Sequence, residues 1–245
     1  MTLAPNLTEI VFALGAGDRL VGVSDHSDYP EAAKSIPRVG GLEVDPEKVA
    51  ALAPDLVLAI AEGSGRGAVA ALQAAGLNVV VVPSGSLDAV LEAIRVAGRS
   101  LGREDAAREL AASLSARRAA VRARVAGRAR RPTALLVVWP APPQAAGGGT
   151  FLDDVLTEAG ADNLVHDRKG WPALSLEYLA TAEVDVLVLP ESAETRPTFD
   201  AALASGSLSR GPVARAKAIR LDESALTRPG PRVFDELERL AAALP

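Results

Sequence analysis

The stretch "DPEKVAALAPDLVLAIAE" (45–62) recurs without gaps as "SLEYLATAEVDVLVLPES" (175–192). Both copies read as a capping residue, a glutamate, an apolar helix, an aspartate and an apolar run. Asp45 before Pro46, and Ser175, are residue types that begin helices. Short runs that are apolar on both faces are typical of parallel strands covered by helices. Each copy therefore predicts a helix followed by a parallel strand.

A second pair of similar segments lies in the same order along the chain. The segment "NLTEIVFALGAGDRLVGV" (6–23) resembles "TFLDDVLTEAGADNLVHD" (150–167). Asn6, with Glu9 three residues later, fits a helix-capping box. Two matched segments favour two similar lobes over one continuous sheet, and the alternative is chance similarity in a chain rich in alanine and leucine.

The remaining pattern completes a two-lobe α/β fold. Residues 103–127 contain no proline, and no glycine before Gly127, which predicts one long helix. Its arginine-rich end (117–131) is expected to form a solvated face. We predict two Rossmann-like lobes with parallel sheets (1–102 and 129–245) joined by one long α-helix (103–128). The predicted strands are 19–23, 55–61, 78–83, 133–139, 185–190 and, more weakly, 216–221.

Composition excludes several classes of protein. The net charge of −5 offers no basic face for nucleic acid, and the absence of cysteine excludes disulfides and thiol catalysis. No run of 18 apolar residues is present, so no membrane-spanning helix is expected. The first residues show no signal-peptide pattern, so for an exported protein we expect such a segment to have been removed or to lie outside this sequence.

The polar segment "SDHSDYP" (24–30) follows a predicted strand, where parallel sheets bind ligands. His26, with Asp25 and Asp28, suggests a metal site, but His166 is the only other histidine, so a three-histidine site is impossible and we predict no metal site. The chain also lacks a G-x-S-x-G elbow, which argues against an enzyme. "AAGGGTF" (145–151) suits either anion binding through backbone N–H groups or a plain glycine turn.

Aromatic residues make up only 3% of the chain, so their positions matter. Tyr29, Trp139 and Trp171 fall at strand ends and in loops, where they can stack on a flat ligand; packing in a core is the alternative. Arg228 lies on a proline-stiffened loop before the last predicted helix, and its guanidinium suits carboxylate, phosphate or amide oxygens.

Whole segments of the chain match a known pattern. "LAPNLTEIVFALGAGDRLVGVSDHSDYP" (3–30), "VGGLEVDPEKVAALAPDLVLA" (39–59) and "GWPALSLEYLATAEVDVLVLP" (170–190) resemble the substrate-binding proteins of cobalamin and iron–siderophore ABC importers. The resemblance implies an inter-lobe cleft, no catalysis, no cofactor, and a monomer that delivers its ligand to an ABC permease dimer. It also implies a periplasmic or extracellular membrane-associated location. "SDYP" and "WPALS" favour the vitamin B12 branch.

The resemblance also implies which residues contact the ligand. Tyr29 and Trp171 would pack against a corrin face, and Arg228 would bond its side-chain amides. Ile60, Gln144 and Ser224 depart from the vitamin B12 pattern, and the first two replace aromatic residues, which leaves less stacking area or indicates a different ligand. The implied contacts are Pro5, Asn6, His26, Ser27, Asp28, Tyr29, Gly41, Leu42, Trp139, Gln144, Trp171, Pro172 and Arg228.

The family docks on its permease through one exposed glutamate per lobe. The strict counterpart in the first lobe is Arg66, with Glu62 four residues earlier, and the second lobe offers Glu191 and Glu194. The alternative for each is a solvated surface carboxylate. We expect a cobalamin- or corrinoid-binding protein. A ferric-siderophore or haem binder would need a more basic or tyrosine-lined cleft, and an enzyme would need a clustered acid/base pair.

Overall fold

The computed structural model describes residues 1–41, 44–60 and 66–245. Its helices are α1 (Pro5–Ala13), α2 (Pro46–Ala51), α3 (Arg66–Ala74), α4 (Leu87–Leu101), α5 (Glu104–Val125), α6 (Phe151–Glu158), α7 (Leu176–Thr181), α8 (Arg196–Ala204), α9 (Glu223–Leu226) and α10 (Val233–Ala243). Its strands are β1 (Val57–Ile60), β2 (Val79–Val82), β3 (Thr133–Pro140), β4 (Pro143–Ala145), β5 (Asp162–Asn163), β6 (Val186–Glu191) and β7 (Lys217–Asp222). In these ranges every helix is too short or too polar to span a lipid bilayer.

The chain divides into two compact units. The first contains Met1–Ser84 and Asp88–Ser115, and the second contains Gly85–Leu87 and Ala116–Pro245. The chain passes from one unit to the other within α5, since Ser115 and Ala116 are consecutive residues of that helix. The continuous helix predicted near 103–127 is therefore present. The three-part domain division remains a prediction.

The repeated segments form the same local structure in both units. In the first copy α2 precedes β1, and in the second α7 precedes β6. The Asp45 carboxylate accepts hydrogen bonds from the backbone N–H groups of Glu47 and Lys48. The Ser175 hydroxyl accepts one from Tyr178 N–H. Both caps satisfy N–H groups that the first helical turn leaves free, which confirms the predicted helix starts.

The first unit is built on parallel strand pairs. β1 and β2 pair in parallel from Val57 opposite Val79 to Ile60 opposite Val82. Thr2 forms parallel bridges to both Val23 and Leu58, which adds two short stretches of chain to the same sheet. The core beneath includes Val39, Val49, Val57, Ala59 and Leu72.

Two local predictions in this unit are wrong. The predicted strand 19–23 is reduced to Val23, because Gly17–Arg19 form a 3-10 turn and Val21 is 42% exposed. Asn6 does not cap the first helix, because α1 already begins at Pro5 and Asn6 lies inside it. A proline at the first helical position is favoured since its ring fixes a helical φ angle.

The second unit contains a five-stranded sheet. β3, β6 and β7 run parallel, β5 pairs in parallel with β3, and β4 returns antiparallel to β3 as a hairpin. Leu135, Val137, Leu187, Leu189 and Phe199 are fully or almost fully buried around it. The carboxyl ends of β3, β6 and β7 therefore lie along one edge of the sheet.

The arginine-rich segment 117–131 is only in part the solvated face that was expected: Arg122, Arg124, Arg130 and Arg131 are exposed, whereas Arg118 is buried. Arg118 is 7% exposed and forms a bidentate pair with Glu158 of α6, at 2.6 and 2.5 Å. Arg128 donates to the carbonyl oxygens of Ala159 and Ala241, at the ends of α6 and α10. Cations there complement the negative end of a helix dipole. These arginines therefore connect α5, α6 and α10 within the second unit.

Candidate functional site

The loop 24–30 lies at the carboxyl edge of the sheet in the first unit. It follows Val23, which bridges in parallel to Thr2 and Arg38. The side chains of His26, Asp28 and Tyr29 are exposed, Tyr29 at 46%. An exposed ring in a chain with so few aromatic residues offers an apolar surface to a ligand.

The other predicted contacts of the first unit differ in accessibility. Pro5 is half-buried at the start of α1, whereas Asn6 and Ser27 are buried. Gly41 lies beside the His26 ring, since a Cβ on Gly41 would lie 3.5 Å from His26 Nε2. Leu42 lies outside the described residues. The structure therefore places Gly41 beside the exposed His26, with Ser27 buried in the same loop and Tyr29 exposed two residues after it.

In the second unit, a hairpin brings three predicted contacts together. Trp139, at the carboxyl end of β3, is 41% exposed and pairs with Gln144 of β4. Gln144 in turn bridges to Ala173, and Ala145 N–H donates to the Pro172 carbonyl at 3.0 Å. Strand pairing therefore places Trp139, Gln144 and Pro172 side by side.

Trp171, one residue before Pro172, is 49% exposed. Its ring contacts the buried Phe151 of α6 edge-to-face, with ring centroids 6.4 Å apart. One edge of the indole is held against the unit while much of the ring faces solvent. This arrangement suits a stacking surface, because the ring is anchored without being enclosed.

The glycine segment beside Trp171 makes structural contacts. Gly147 N–H donates to Gly170 C=O and Gly148 N–H donates to Arg168 C=O, both at 2.8 Å. A Cβ on Gly148 would lie 1.9 Å from the His166 carbonyl oxygen. Of the two interpretations of "AAGGGTF", these contacts support close backbone packing, because both N–H groups are used within the unit.

Arg228 and two of the predicted docking glutamates, Glu191 and Glu194, belong to the second unit. Arg228 is half-buried in the segment between α9 and α10. Glu191, the last residue of β6, is 8% exposed and pairs with Arg196 and Arg220. Glu191 therefore does not present the exposed carboxylate expected of it, whereas Glu194 is exposed. Glu62 lies outside the described residues.

Two cavities formed by described residues have linings other than the predicted ligand contacts. In the first unit a cavity of about 450 Å³ is lined by Asp55 and Asn78, which precede β1 and β2 at the amino edge. In the second unit a cavity of about 520 Å³ is lined by Arg122, Glu158 and His166. Neither is lined by a predicted ligand contact. Among the described residues, no group of three histidine, aspartate or glutamate side chains is arranged to hold a metal ion.

Sequence reasoning missed one residue that shapes the site. Arg38 donates to two carbonyl oxygens of the loop 24–30, those of Ser24 and Ser27. The sequence carries no local signal that links the loop to "PRVGG" (37–41). The bridge between Val23 and Arg38 and the hydrogen bonds of Arg38 show that the two segments are neighbours.

Comparison with known proteins agrees with this architecture. The chain is 28% identical over its full length to the substrate-binding lipoprotein YvrC of Bacillus subtilis (strain 168), an uncharacterized ABC transporter protein, and covers 79% of it. It covers 95% of the periplasmic heme-binding protein RhuT of Roseiflexus sp. RS-1, with 99% of this chain matched, 30% identity and a TM-score of 0.88. The chain also resembles the periplasmic vitamin B12 binding protein BtuF of Vibrio cholerae, with 25% identity and a TM-score of 0.84. That match covers 98% of this chain and 94% of BtuF.

These likenesses confirm the predicted fold class, an α/β chain of two lobes with parallel sheets. The profile of the periplasmic binding protein family matches residues 1–211. The match includes the loop 24–30, the hairpin with Trp139 and Gln144, and Trp171. The chain therefore belongs to the periplasmic binding protein family.

Proposed function

We propose that this chain is the substrate-binding protein of an ABC importer for a metal tetrapyrrole, with cobalamin or a related corrinoid as the first candidate. The observation that carries the proposal is the placement of its aromatic side chains. Both tryptophans of the chain and one of its two tyrosines are 41–49% exposed. Trp139 and Trp171 lie on neighbouring segments of the second unit, since Gln144 pairs with Trp139 and bridges to Ala173, and Tyr29 lies on the loop 24–30 of the first unit.

A flat conjugated macrocycle fits these side chains chemically. Indole and phenol rings bind flat ligands by offset stacking and by removing apolar area from water. Gln144 and Arg228 supply amide and guanidinium groups that can bond the polar substituents of a corrin ring. Binding and release, rather than catalysis, is the proposed activity.

Haem is the second candidate, and the loop of the first unit favours it. His26 and Tyr29 are both exposed and lie three residues apart. Imidazole and phenolate are among the protein groups that hold haem iron. The likeness to the heme-binding protein RhuT covers nearly the whole of this chain. Haem binding would use one of these side chains as an iron ligand, whereas cobalamin binding requires neither.

Tryptophan fluorescence tests the proposal directly, because the chain has only two tryptophans and both lie on the proposed face. We expect cyanocobalamin to quench both single-tryptophan variants, Trp139→Phe and Trp171→Phe, beyond the inner-filter loss shown by a free tryptophan amide. Trp171→Ala should weaken binding by about 1–3 kcal/mol if the ring stacks. Calorimetry provides the affinity independently.

The same titration with hemin separates the two candidates. A Soret shift on binding that disappears in Tyr29→Phe or His26→Ala, with no heat from cyanocobalamin up to high micromolar concentration, would select haem. Absence of binding to both ligands would refute the proposal for tetrapyrroles.

We also propose that Glu194 contacts the permease, in a protein that acts as a monomer. Glu194 is exposed just after β6, whereas the neighbouring Glu191 is occupied by two arginines. Glu194→Arg should leave ligand affinity unchanged and abolish stimulation of the permease ATPase in proteoliposomes. Glu183→Arg is the matched control, since Glu183 is exposed before β6, at the opposite edge of the sheet. Equal loss in both variants would refute the assignment.

A further inference from the structure

The loop that carries His26 and Tyr29 is closed by a single guanidinium group. Arg38 Nη1 donates to the carbonyl oxygens of Ser24 and Ser27, at 2.9 and 2.7 Å. Ser27 N–H also donates to Ser24 C=O at 3.0 Å, which closes a tight turn. Hydrogen bonds to a charged donor are stronger than those between neutral groups. The arginine therefore fixes the backbone on both sides of His26.

A chain of buried hydroxyl groups supports the same turn from below. Thr2 Oγ1 lies 2.7 Å from Thr8 Oγ1, Thr8 Oγ1 lies 2.8 Å from Ser27 Oγ, and Ser27 Oγ lies 2.8 Å from Ser24 Oγ. These are optimal distances for hydroxyl pairs. Ser24 is 2% exposed and the other three side chains are fully buried. Removing the Thr8 hydroxyl would take a hydrogen-bond partner from both Thr2 and Ser27, which is costly because both side chains are buried.

A third attachment holds the start of the exposed segment. Asp25 N–H donates to Gly40 C=O at 2.9 Å, and Gly40 N–H donates to Asp25 Oδ1 at 3.2 Å. Gly40 follows Arg38 by two residues, so the same short segment holds the loop at several points. The loop backbone is thus fixed from the side and from below, while the side chains of His26 and Tyr29 remain exposed.

We infer that Arg38 and the hydroxyl chain (Thr2, Thr8, Ser24 and Ser27) are positioning residues for ligand capture. They hold the loop 24–29 in the one shape that presents His26 and Tyr29 to the ligand. The inference rests on the proposed function. These residues act through the loop, since Ser27 and its hydroxyl partners are buried and Arg38 bonds the loop carbonyls.

The expected effect follows from population arithmetic. If loss of the clamp lowers the fraction of molecules with a correctly shaped loop to about one tenth, the apparent Kd rises about tenfold, although no contacting group has changed. Stacking by the second unit is unaffected. The penalty should therefore appear as a lower apparent affinity, with the quenching of Trp139 and Trp171 at saturation unchanged.

The test uses Arg38→Gln, Arg38→Lys and Thr8→Val, with Thr8→Ser as the conservative variant that restores the hydroxyl. Arg19→Gln is the matched control, because Arg19 also donates to a backbone carbonyl of the first unit, that of Leu101, but not to the loop. Hydrogen exchange of the Asp25, Ser27 and Asp28 amides in the ligand-free protein measures the clamp. Fluorescence titration with cyanocobalamin and hemin measures capture, and far-UV circular dichroism identifies any variant that does not fold.

We expect Arg38→Gln and Thr8→Val to speed exchange of the loop amides at least tenfold and to raise the Kd about tenfold. Thr8→Ser and Arg19→Gln should match wild type, and Arg38→Lys should fall between. Unchanged loop exchange, or an unchanged Kd in folded variants with faster exchange, overturns the inference. A wild-type protein that binds neither tetrapyrrole overturns the proposed function instead, and the exchange data then still decide whether the clamp exists.

Discussion

Replacing Arg118 by methionine tests how the second unit is held together. Arg118 is 7% exposed and donates two hydrogen bonds to Glu158, which is 9% exposed. The substitution keeps the length and much of the apolar stem of the side chain but removes the charge. Glu158 then retains one partner, Arg122, whose Nη2 lies 2.6 Å from Glu158 Oε1.

The magnitude follows from what remains buried. Removing one partner of a buried ion pair costs about 3–5 kcal/mol when the other charge is left uncompensated. Because Arg122 still contacts Glu158 and is itself 56% exposed, we expect the lower end of that range, about 3 kcal/mol. The double variant Arg118→Met/Glu158→Leu removes both charges, so it should recover most of this loss.

Urea denaturation followed by far-UV circular dichroism provides the free energies of unfolding for this double-mutant cycle. Arg108→Met is the matched control on the same helix, since its pair with Asp105 is exposed at 73% and 84%. Such surface pairs contribute little, and we expect a change below about 0.5 kcal/mol. A loss below about 1 kcal/mol for Arg118→Met, or a double variant less stable than the single one, would refute the argument.

Two further predictions concern the same unit. Gly148→Ala should destabilise the protein by at least about 2 kcal/mol, because its Cβ would lie 1.9 Å from the His166 carbonyl oxygen. Gly67→Ala is the control and should not destabilise it, because nothing lies within 4 Å of that position. Thermal unfolding distinguishes the two variants. Hydrogen bonds from Arg117 lower the pKa of Glu238 below its ordinary value of 4.5, so the stability that this carboxylate contributes is present above pH 4.5 and is lost as pH falls through the lowered pKa. In Glu238→Gln the free energy of unfolding should therefore depend less steeply on pH below pH 4.5. The difference should be less than about 1 kcal/mol because the side chain is partly exposed. An unchanged pH dependence would contradict this.

The repeated segments show which parts of a fold can be predicted from local sequence. Caps at Asp45 and Ser175 act over three residues, and the apolar runs that follow them are short enough to exclude helices. Both signals lie within a short stretch of sequence, so the helix–strand units are predicted correctly. The stretch 19–23 also contains Leu20, Val21 and Val23, but only Val23 bridges to neighbouring segments. Whether an apolar run joins a sheet depends on those neighbours.

The arginine segment 117–131 shows what local sequence does not predict. Its charges suggest a solvated face, and four of its arginines are indeed exposed, yet Arg118 and Arg117 pair with carboxylates 40 and 121 residues away in sequence. The partners lie on α6 and α10, and nothing in the segment itself identifies them. Buried charges are paired because desolvation is costly, but the pairing becomes visible only once the helices are packed.

At the proposed site, the prediction of exposed aromatic side chains succeeded for a physical reason. Tyr29 and Trp171 lie outside the apolar runs that build the sheets, and Trp139 lies near the end of such a run, after the buried residues Ala134–Val137, so none of the three occupies a core position. The supporting residues could not be found in this way. Thr8 and Ser27 are 19 residues apart, and only folding brings their hydroxyl groups within 2.8 Å.

Under the proposed function, we expect selectivity to come from the polar groups rather than from the rings. Stacking rewards any flat macrocycle in proportion to the apolar area covered, so Trp139 and Trp171 alone do not separate a corrin from a porphyrin. The two ligands differ in the polar chemistry that they offer. Haem offers an open coordination position on iron to His26 or Tyr29, and a corrin offers side-chain amides to Gln144 and Arg228. A site that bonds a specific polar group rejects a ligand lacking it, because its own groups are then left unpaired. Exchanging His26 and Tyr29 should therefore change the preferred ligand, whereas exchanging the tryptophans should weaken all of them.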